Sequence, residues 1–127
     1  MENKVHFADL HVEKNTWIST LVFCQDELEI MNTRLLEIAN ANSKIEVTAQ
    51  VEHFQNQFIV QKEVLDTLRH DIHKSEGEMV RQIEANPIAT ERKTAPDHID
   101  LRDHATTFDK LIADLTQEFN TFAVKTL

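Results

Sequence analysis

The chain has very few of the residues that form turns. Its 127 residues include one glycine, two prolines and no tyrosine. Folds built from many short strands need glycine and proline at their turns, so this scarcity excludes them and indicates a few long elements. The length fits one domain with a core of its own. We therefore expect residues 1–127 to form a single helical-bundle domain.

Cysteine and long apolar runs are scarce as well. The single cysteine, Cys24, cannot form an internal disulfide, so a reducing cytoplasm is the expected location. No apolar run approaches the roughly 20 residues that cross a bilayer. The segment Met1–Lys14 is mixed and polar, without the apolar stretch of a signal peptide. We expect no membrane partner.

Positively charged residues are also few compared with negatively charged ones. Thirteen Lys and Arg stand against 22 Asp and Glu, which gives a net charge of −9. Nucleic-acid binding normally needs a basic face that neutralises phosphates, and docking on anionic lipid needs the same. We therefore expect no nucleic-acid partner, and the acidic surface favours solubility.

Apolar residues recur at alternating steps of three and four, the spacing of a heptad seam, in three segments of the chain. The segments are Phe7–Ile38, Val47–Met79 and Leu101–Phe122. Lys14 interrupts the first seam and Gln61 the second. The pattern predicts an all-α fold of three long helices in an antiparallel coiled-coil-like bundle. The first two form a helical hairpin, and the third is shorter.

Turn and capping residues set the predicted boundaries. Ser43–Glu46 resembles a capping box at the start of the second helix. Pro87 should end that helix, and Pro96 is suited to the first turn of the third. The stretch between them has charged residues and no seam, which is typical of an exposed linker. We expect helices at about 3–41, 43–85 and 97–125, with a linker at 86–96.

Unequal helix lengths should leave apolar residues uncovered. The third helix begins where the second ends and is about 45 Å long against about 60 Å for the others, so it should stop short of the hairpin turn. Four residues near that turn would then contact only each other: Leu35, Ile38, Val47 and Val51. Four more lie off the seams near mid-bundle: Phe23, Ile30, Ile59 and Val60. Exposed apolar clusters are typical of interfaces, so we predict a homodimer or contact with another helical protein. The alternative is a monomer whose linker covers them.

Six of the seven histidines gather near one end of the predicted bundle. They are His6, His11, His70, His73, His98 and His104. Facing helices can hold a metal ion with imidazole and carboxylate groups, so His11, His73 and His104, helped by Asp100 or His70, are an alternative metal site. Against it, the Glu-x-x-His pairs of di-iron bundles are absent. Solvated histidines without a role, or a group that charges below neutral pH, are the other interpretations.

Motifs for catalysis or cofactor binding are missing from the sequence. The only glycine, Gly77, cannot make a glycine-rich phosphate loop, and no serine lies in a nucleophile elbow. Cys24 lies on a seam and is expected to fill the core. We therefore predict no catalytic residue and no cofactor. The expected function is that of a non-enzymatic bundle acting through protein–protein contact or self-association, with a metal-binding bundle as the alternative.

Overall fold

A computed structural model describes the backbone of residues 7–126 and the side chains of residues 7–86 and 97–126. It contains three helices: α1 (Phe7–Ala41), α2 (Ile45–Ala85) and α3 (Pro87–Thr126). The helices pack against one another as a bundle, and no strand occurs between residues 7 and 126. The predicted all-α bundle of three helices is confirmed. Residues 3–6, predicted to open the first helix, lie outside the described residues.

Side-chain contacts show the directions of the helices. Arg69 on α2 donates through Nη2 to Oε1 of Gln25 on α1, and the order of such contacts makes α1 and α2 antiparallel. His53 near the start of α2 contacts Glu118 near the end of α3, with Nε2 3.0 Å from Oε1. α3 is therefore antiparallel to α2 and runs in the direction of α1.

The core of the bundle is made by the three heptad seams. Seam side chains point inward because a step of three or four residues returns to the same face of a helix. The apolar residues that are least exposed all belong to a seam: Leu10, Leu21, Leu35, Ile38, Phe54, Leu65, Ile72, Met79, Phe108 and Phe119. The sequence pattern thus identifies the core correctly.

The predicted linker at 86–96 is wrong. α2 ends where expected, but Asn86 alone separates it from α3, whose helical backbone covers Pro87–Thr126. Asn86 takes an extended conformation, with φ −161° and ψ 89°. Pro87 is the first residue of α3, where the missing N–H costs no hydrogen bond and the fixed φ suits a helix. The backbone remains helical through Pro96, although proline inside a helix removes one hydrogen bond and usually marks a boundary.

The start of α2 also differs from the prediction. The helix begins at Ile45, and its N-cap is Lys44, which makes no side-chain capping hydrogen bond. The expected capping box of Ser43 and Glu46 therefore does not close this end. Instead, the side-chain amide of Asn42 donates to the carbonyl of Ile38 at 2.9 Å, at the end of α1.

Because α3 starts at Pro87, it extends to the tip of the bundle, which we define as the α1–α2 turn at residues 42–44. The ring of Phe119 on α3 packs edge-on against Phe54 and Phe58 of α2, with centroids 5.3 and 5.6 Å apart. Ala123, one turn further along α3, is buried in the same core. The expectation that the third helix ends well before the tip is therefore wrong.

The apolar residues near the tip are consequently covered within the chain. Leu35, Ile38 and Val51 are 0%, 1% and 6% exposed, and Val47 is half-buried against the same core. The expectation that these four contact only each other is wrong, because α3 lies over them. Their assignment to an interface loses its basis.

We predict that Phe119→Ala lowers the free energy of unfolding by about 3–5 kcal/mol, since it leaves a cavity among packed rings at the tip. Phe23→Ala is the matched control, because Phe23 is 64% exposed, and should cost less than about 1 kcal/mol. Urea denaturation followed by circular dichroism measures both. Equal, small losses would show that α3 does not cover the tip.

Candidate functional site

Polar side chains enter the core at the basal end, which we define as the end where α1 begins and α2 passes into α3. Lys14 occupies a seam position and is 2% exposed. Its Nζ lies 3.8 Å from Oε1 of Glu76 and 3.9 Å from Sδ of Met79, both on α2. Burial lowers the pKa of Lys14, and the negative charges of Glu76 and Asp97 oppose that shift. The basal end therefore holds a buried amine beside one carboxylate.

Glu76 links this amine to the surface between α1 and α2. Its Oε2 accepts a hydrogen bond of 2.7 Å from Nδ1 of His11. The other ring nitrogen of His11 lies 3.1 Å from the side-chain amide of Asn15, which donates to it. One carboxylate thus faces both Lys14 and His11, and it connects α2 to α1 at two points.

A second polar cluster joins α1 to α3. Arg102 binds Glu13 with two hydrogen bonds, from Nε to Oε2 at 2.7 Å and from Nη2 to Oε1 at 2.8 Å. Nε2 of His98 lies 2.7 Å from Oε1 of the same carboxylate. His98 is 2% exposed, and its ring stacks on Trp17 with centroids 4.8 Å apart. A bidentate arginine contact of this kind fixes geometry as well as charge.

Electrostatics at Glu13 follow from these contacts. The hydrogen bond from Arg102, followed by the bond and charge of His98, lowers the pKa of Glu13 to about 2, although burial opposes the shift. The same contact raises the pKa of Arg102. Nδ1 of His98 is buried without a hydrogen-bond partner among the described residues. Glu13 is therefore a permanent anion near neutral pH, paired with groups of α3.

These two clusters are suited to fixing the alignment of the helices. Lys14 and Glu13 are neighbours in sequence, yet one is directed to α2 and the other to α3. Buried polar groups that find their partners at only one register of the helices raise the free energy of every other register, where they would be unpaired. Sliding α3 by one turn would separate Arg102 from Glu13 and leave His98 buried without its carboxylate.

The predicted metal ligands lie in different places at the basal end. His11 contacts Glu76 between α1 and α2, and His104 lines a groove between α2 and α3. His73, His70 and Asp100 are exposed. In the part of the chain that the structure describes, no three His, Cys, Asp or Glu side chains are grouped to hold a metal ion. The metal-site prediction gains no support, and His6 lies outside the described residues.

Cys24 fills the core, as its seam position predicts. The side chain is 5% exposed. Burial, with smaller contributions from the charges of Asp109 and Glu27, raises the pKa of the Cys24 thiol to about 11. The thiolate is the nucleophilic form of cysteine, so this protonated thiol is a packing group.

The four predicted mid-bundle residues are exposed but do not share one surface. Phe23, Ile30, Ile59 and Val60 are 64%, 67%, 59% and 49% exposed. Phe23 lines a depression between α1 and α3, whereas Ile30 lies in a shallow one on α1 alone. Ile59 and Val60 lie on opposite sides of α2. The expected single cluster is therefore divided among four depressions.

Two grooves follow the sides of α2. The α1/α2 groove has a volume of about 650 Å³, and the α2/α3 groove about 510 Å³. In the first, Leu36 and Ile59 stand on either side of a floor of Leu28 and Phe58. The lining of the second includes the exposed Val60, Val64 and Leu111. These grooves are the candidate contact sites.

The chain matches no known protein family. No curated protein and no solved structure is similar to it at a significant level either. Among the described residues, none of the helices combines the length and apolar content that a bilayer span needs. Function is therefore inferred from the geometry of the bundle.

Sequence reasoning missed two groups of residues. Glu13, Glu76 and Arg102 all flank a seam position, and charges at flanking heptad positions pair between neighbouring helices. That rule could have found them once the helix directions were known. Leu36, Val64 and Leu111 were missed because only the packed bundle shows which residues outside the seams border a groove.

We predict that Lys14→Met lowers the free energy of unfolding by about 1–3 kcal/mol. Methionine fills a similar volume, but it leaves the buried Oε1 of Glu76 without the nearby ammonium group, and removing one partner of a buried ion pair is destabilising. Lys110→Met is the control, because Lys110 is exposed and lines neither groove, and it should change stability by less than about 0.5 kcal/mol. Denaturant titration measures both variants. An equal or higher stability at position 14 would show that the cost of burying the ammonium group outweighs its ion pair.

The pairing of Glu13 should make stability depend on acid pH. Its folded-state pKa of about 2 lies below the ordinary value of 4.5, so its contribution is present above pH 4.5 and is lost as the pH falls towards 2. The melting temperature of the wild type should exceed that of Glu13→Gln near neutrality, and the gap should close in acid. Glu37→Gln, at an exposed site, should follow the wild-type curve. A Glu13→Gln gap that stays constant down to the lowest pH would contradict this account.

Proposed function

We propose that the chain is a non-enzymatic helical-bundle protein that acts through protein–protein contact and forms a homodimer through the α1/α2 groove. The observation that supports this most directly is the pair of exposed residues Leu36 and Ile59, 47% and 59% exposed, on the two sides of that groove. Apolar side chains bordering a groove with an apolar floor are typical of a helix-packing surface.

The lining of the α1/α2 groove suits a second copy of the chain. A two-fold interface places one surface against itself, so the surface must complement itself. Lys62 lies on this groove together with Glu29 and Glu63, so charges of both signs are present. Four amide side chains also line it and can both donate and accept hydrogen bonds: Gln25, Asn32, Gln55 and Asn56.

The size of this face is sufficient for a stable dimer. Helices of this length run about 50–60 Å, and two side by side are about 20 Å wide, so the face offers on the order of 1,000 Å². A standard interface takes about 800 Å² from each partner. Packing two such hairpins face to face would surround the groove residues with four helices, the geometry of common bundles.

We propose the cytoplasm as the location of the protein, because a single buried cysteine suits a reducing compartment. A metal-binding function would need His11, His73 and His104 to converge. His11 contacts Glu76, His104 lines the α2/α3 groove and His73 is exposed, so the three do not converge.

The dimer is tested by the mass in solution, measured by light scattering after size exclusion. The wild type should have twice the chain mass of 14.7 kDa. Leu36→Glu with Ile59→Glu should reduce the mass to that of one chain, because four carboxylates would face each other across the two-fold axis. Circular dichroism confirms that the variant remains helical, as expected for exposed positions.

Two matched controls locate the interface. Val12→Glu with Val124→Glu adds the same charge at positions 62% and 76% exposed, far from the groove, and should leave the dimer intact. Phe23→Glu with Ile30→Glu tests the other predicted residues. Monomers from that pair alone would place the interface on the α1 side away from α2. A wild-type mass of one chain would show that the protein does not self-associate.

A further inference from the structure

The α2/α3 groove differs in charge from the α1/α2 groove. Its lining includes two carboxylates, Glu63 and Asp71, and one imidazole, His104. Of the described side chains that line it, none is a lysine or an arginine. The α2/α3 groove is therefore apolar, and its lining holds two carboxylates that no lysine or arginine of the lining neutralises. The whole chain is acidic as well, with a net charge of −9.

The floor and walls of this groove are apolar. Phe108 and Leu68 form buried parts of it, at 1% and 5% exposure. Val60, Val64 and Leu111 are 49%, 39% and 45% exposed along its length. Val60 and Val64 are one helical turn apart on α2, with Leu111 across the groove on α3. Side chains at this spacing accept the apolar face of another helix.

A second copy of the chain is a poor occupant for this groove. A two-fold contact would place Glu63 and Asp71 against the same residues of the second copy, and the described lining offers no lysine or arginine to pair with them. Like charges brought together at an interface cost free energy and suppress association. Complementarity instead requires positive charge beside an apolar stripe.

We propose that the α2/α3 groove binds an amphipathic helix of a different protein, whose apolar stripe is flanked by lysine or arginine. Glu63 and Asp71 are eight residues apart, about 12 Å along α2. The basic residues of the bound helix therefore lie about two turns apart, on either side of apolar residues that contact Val64 and Leu111. The acidic surface of the whole chain attracts such a helix before contact.

This inference does not depend on the proposed dimer, because the two grooves have different walls. Glu63 lies on the edge that they share. The experiments therefore separate the grooves with apolar positions that line only one of them: Leu36 and Ile59 for the α1/α2 groove, Val64 and Leu111 for the α2/α3 groove. Binding should be present in both the wild type and the Leu36→Glu, Ile59→Glu variant.

The probe is a fluorescent synthetic helix of about three heptads, with leucine at the seam positions and lysine at the flanking positions. Its counterpart carries glutamate in place of every lysine. Fluorescence anisotropy at low and high salt should show that the lysine peptide binds one per chain. It should bind at least about tenfold more tightly than the glutamate peptide, with affinity falling as salt rises.

Variants test the site and its charge. Val64→Glu with Leu111→Glu should abolish binding. Glu63→Gln with Asp71→Asn should weaken it about five- to tenfold and reduce its salt dependence. Asp26→Asn with Glu37→Gln removes the same charge from exposed positions on α1 and should keep affinity within about twofold.

Several outcomes would overturn the proposal. Equal weakening by the Asp26 and Glu37 control would show that net charge alone attracts the peptide. Equal binding of both peptides would contradict the proposed role of the carboxylates. Binding that the Val64→Glu and Leu111→Glu substitutions leave unchanged would place the contact outside this groove. No binding of the lysine peptide would show that the groove does not accept a basic helix. A wild-type dimer dissociated only by the Val64 and Leu111 substitutions would make a second copy the occupant.

Discussion

Three helices can bury a seam along its whole length only when all three are of similar length. Here α1, α2 and α3 contain 35, 41 and 40 residues. The match depends on the one-residue connection at Asn86, because it lets α3 begin at the level where α2 ends. With a longer connection, the same residues could not place Phe119 among the rings of α2. The aromatic packing at the tip and the cover over Leu35 both follow from this short turn.

The two ends of the bundle are stabilised in different ways. At the tip, Phe54, Phe58, Phe119 and Phe122 pack as rings 5.2–6.3 Å apart, and apolar burial is the main contribution. At the basal end, Lys14 and His98 occupy core positions and need carboxylates beside them. Apolar packing tolerates small shifts between helices, whereas a bidentate contact does not. The tip therefore supplies stability and the basal end supplies alignment.

The seams were predictable because the helical period is local and each segment repeats it over several heptads. The core followed directly from Leu10, Leu65 and Phe108, which keep that period. The third helix was misjudged at Pro96, because proline usually ends a helix and the sequence does not show when helical backbone continues through it. The contact surface was misjudged for a different reason. Heights along a bundle can be counted from residue numbers, but which neighbour covers Val51 or borders Ile59 depends on the packing of all three helices.

The chain has no tyrosine and one tryptophan, so its near-ultraviolet emission comes from one indole, that of Trp17. That indole lies against the ring of His98, and the pair joins α1 to α3 at the basal end. An imidazole in contact with an indole alters its emission, and the contact exists only while the two helices are together. The protein thus carries an intrinsic optical reporter of its α1–α3 contact, and opening of this end can be followed separately from loss of helix, without a label.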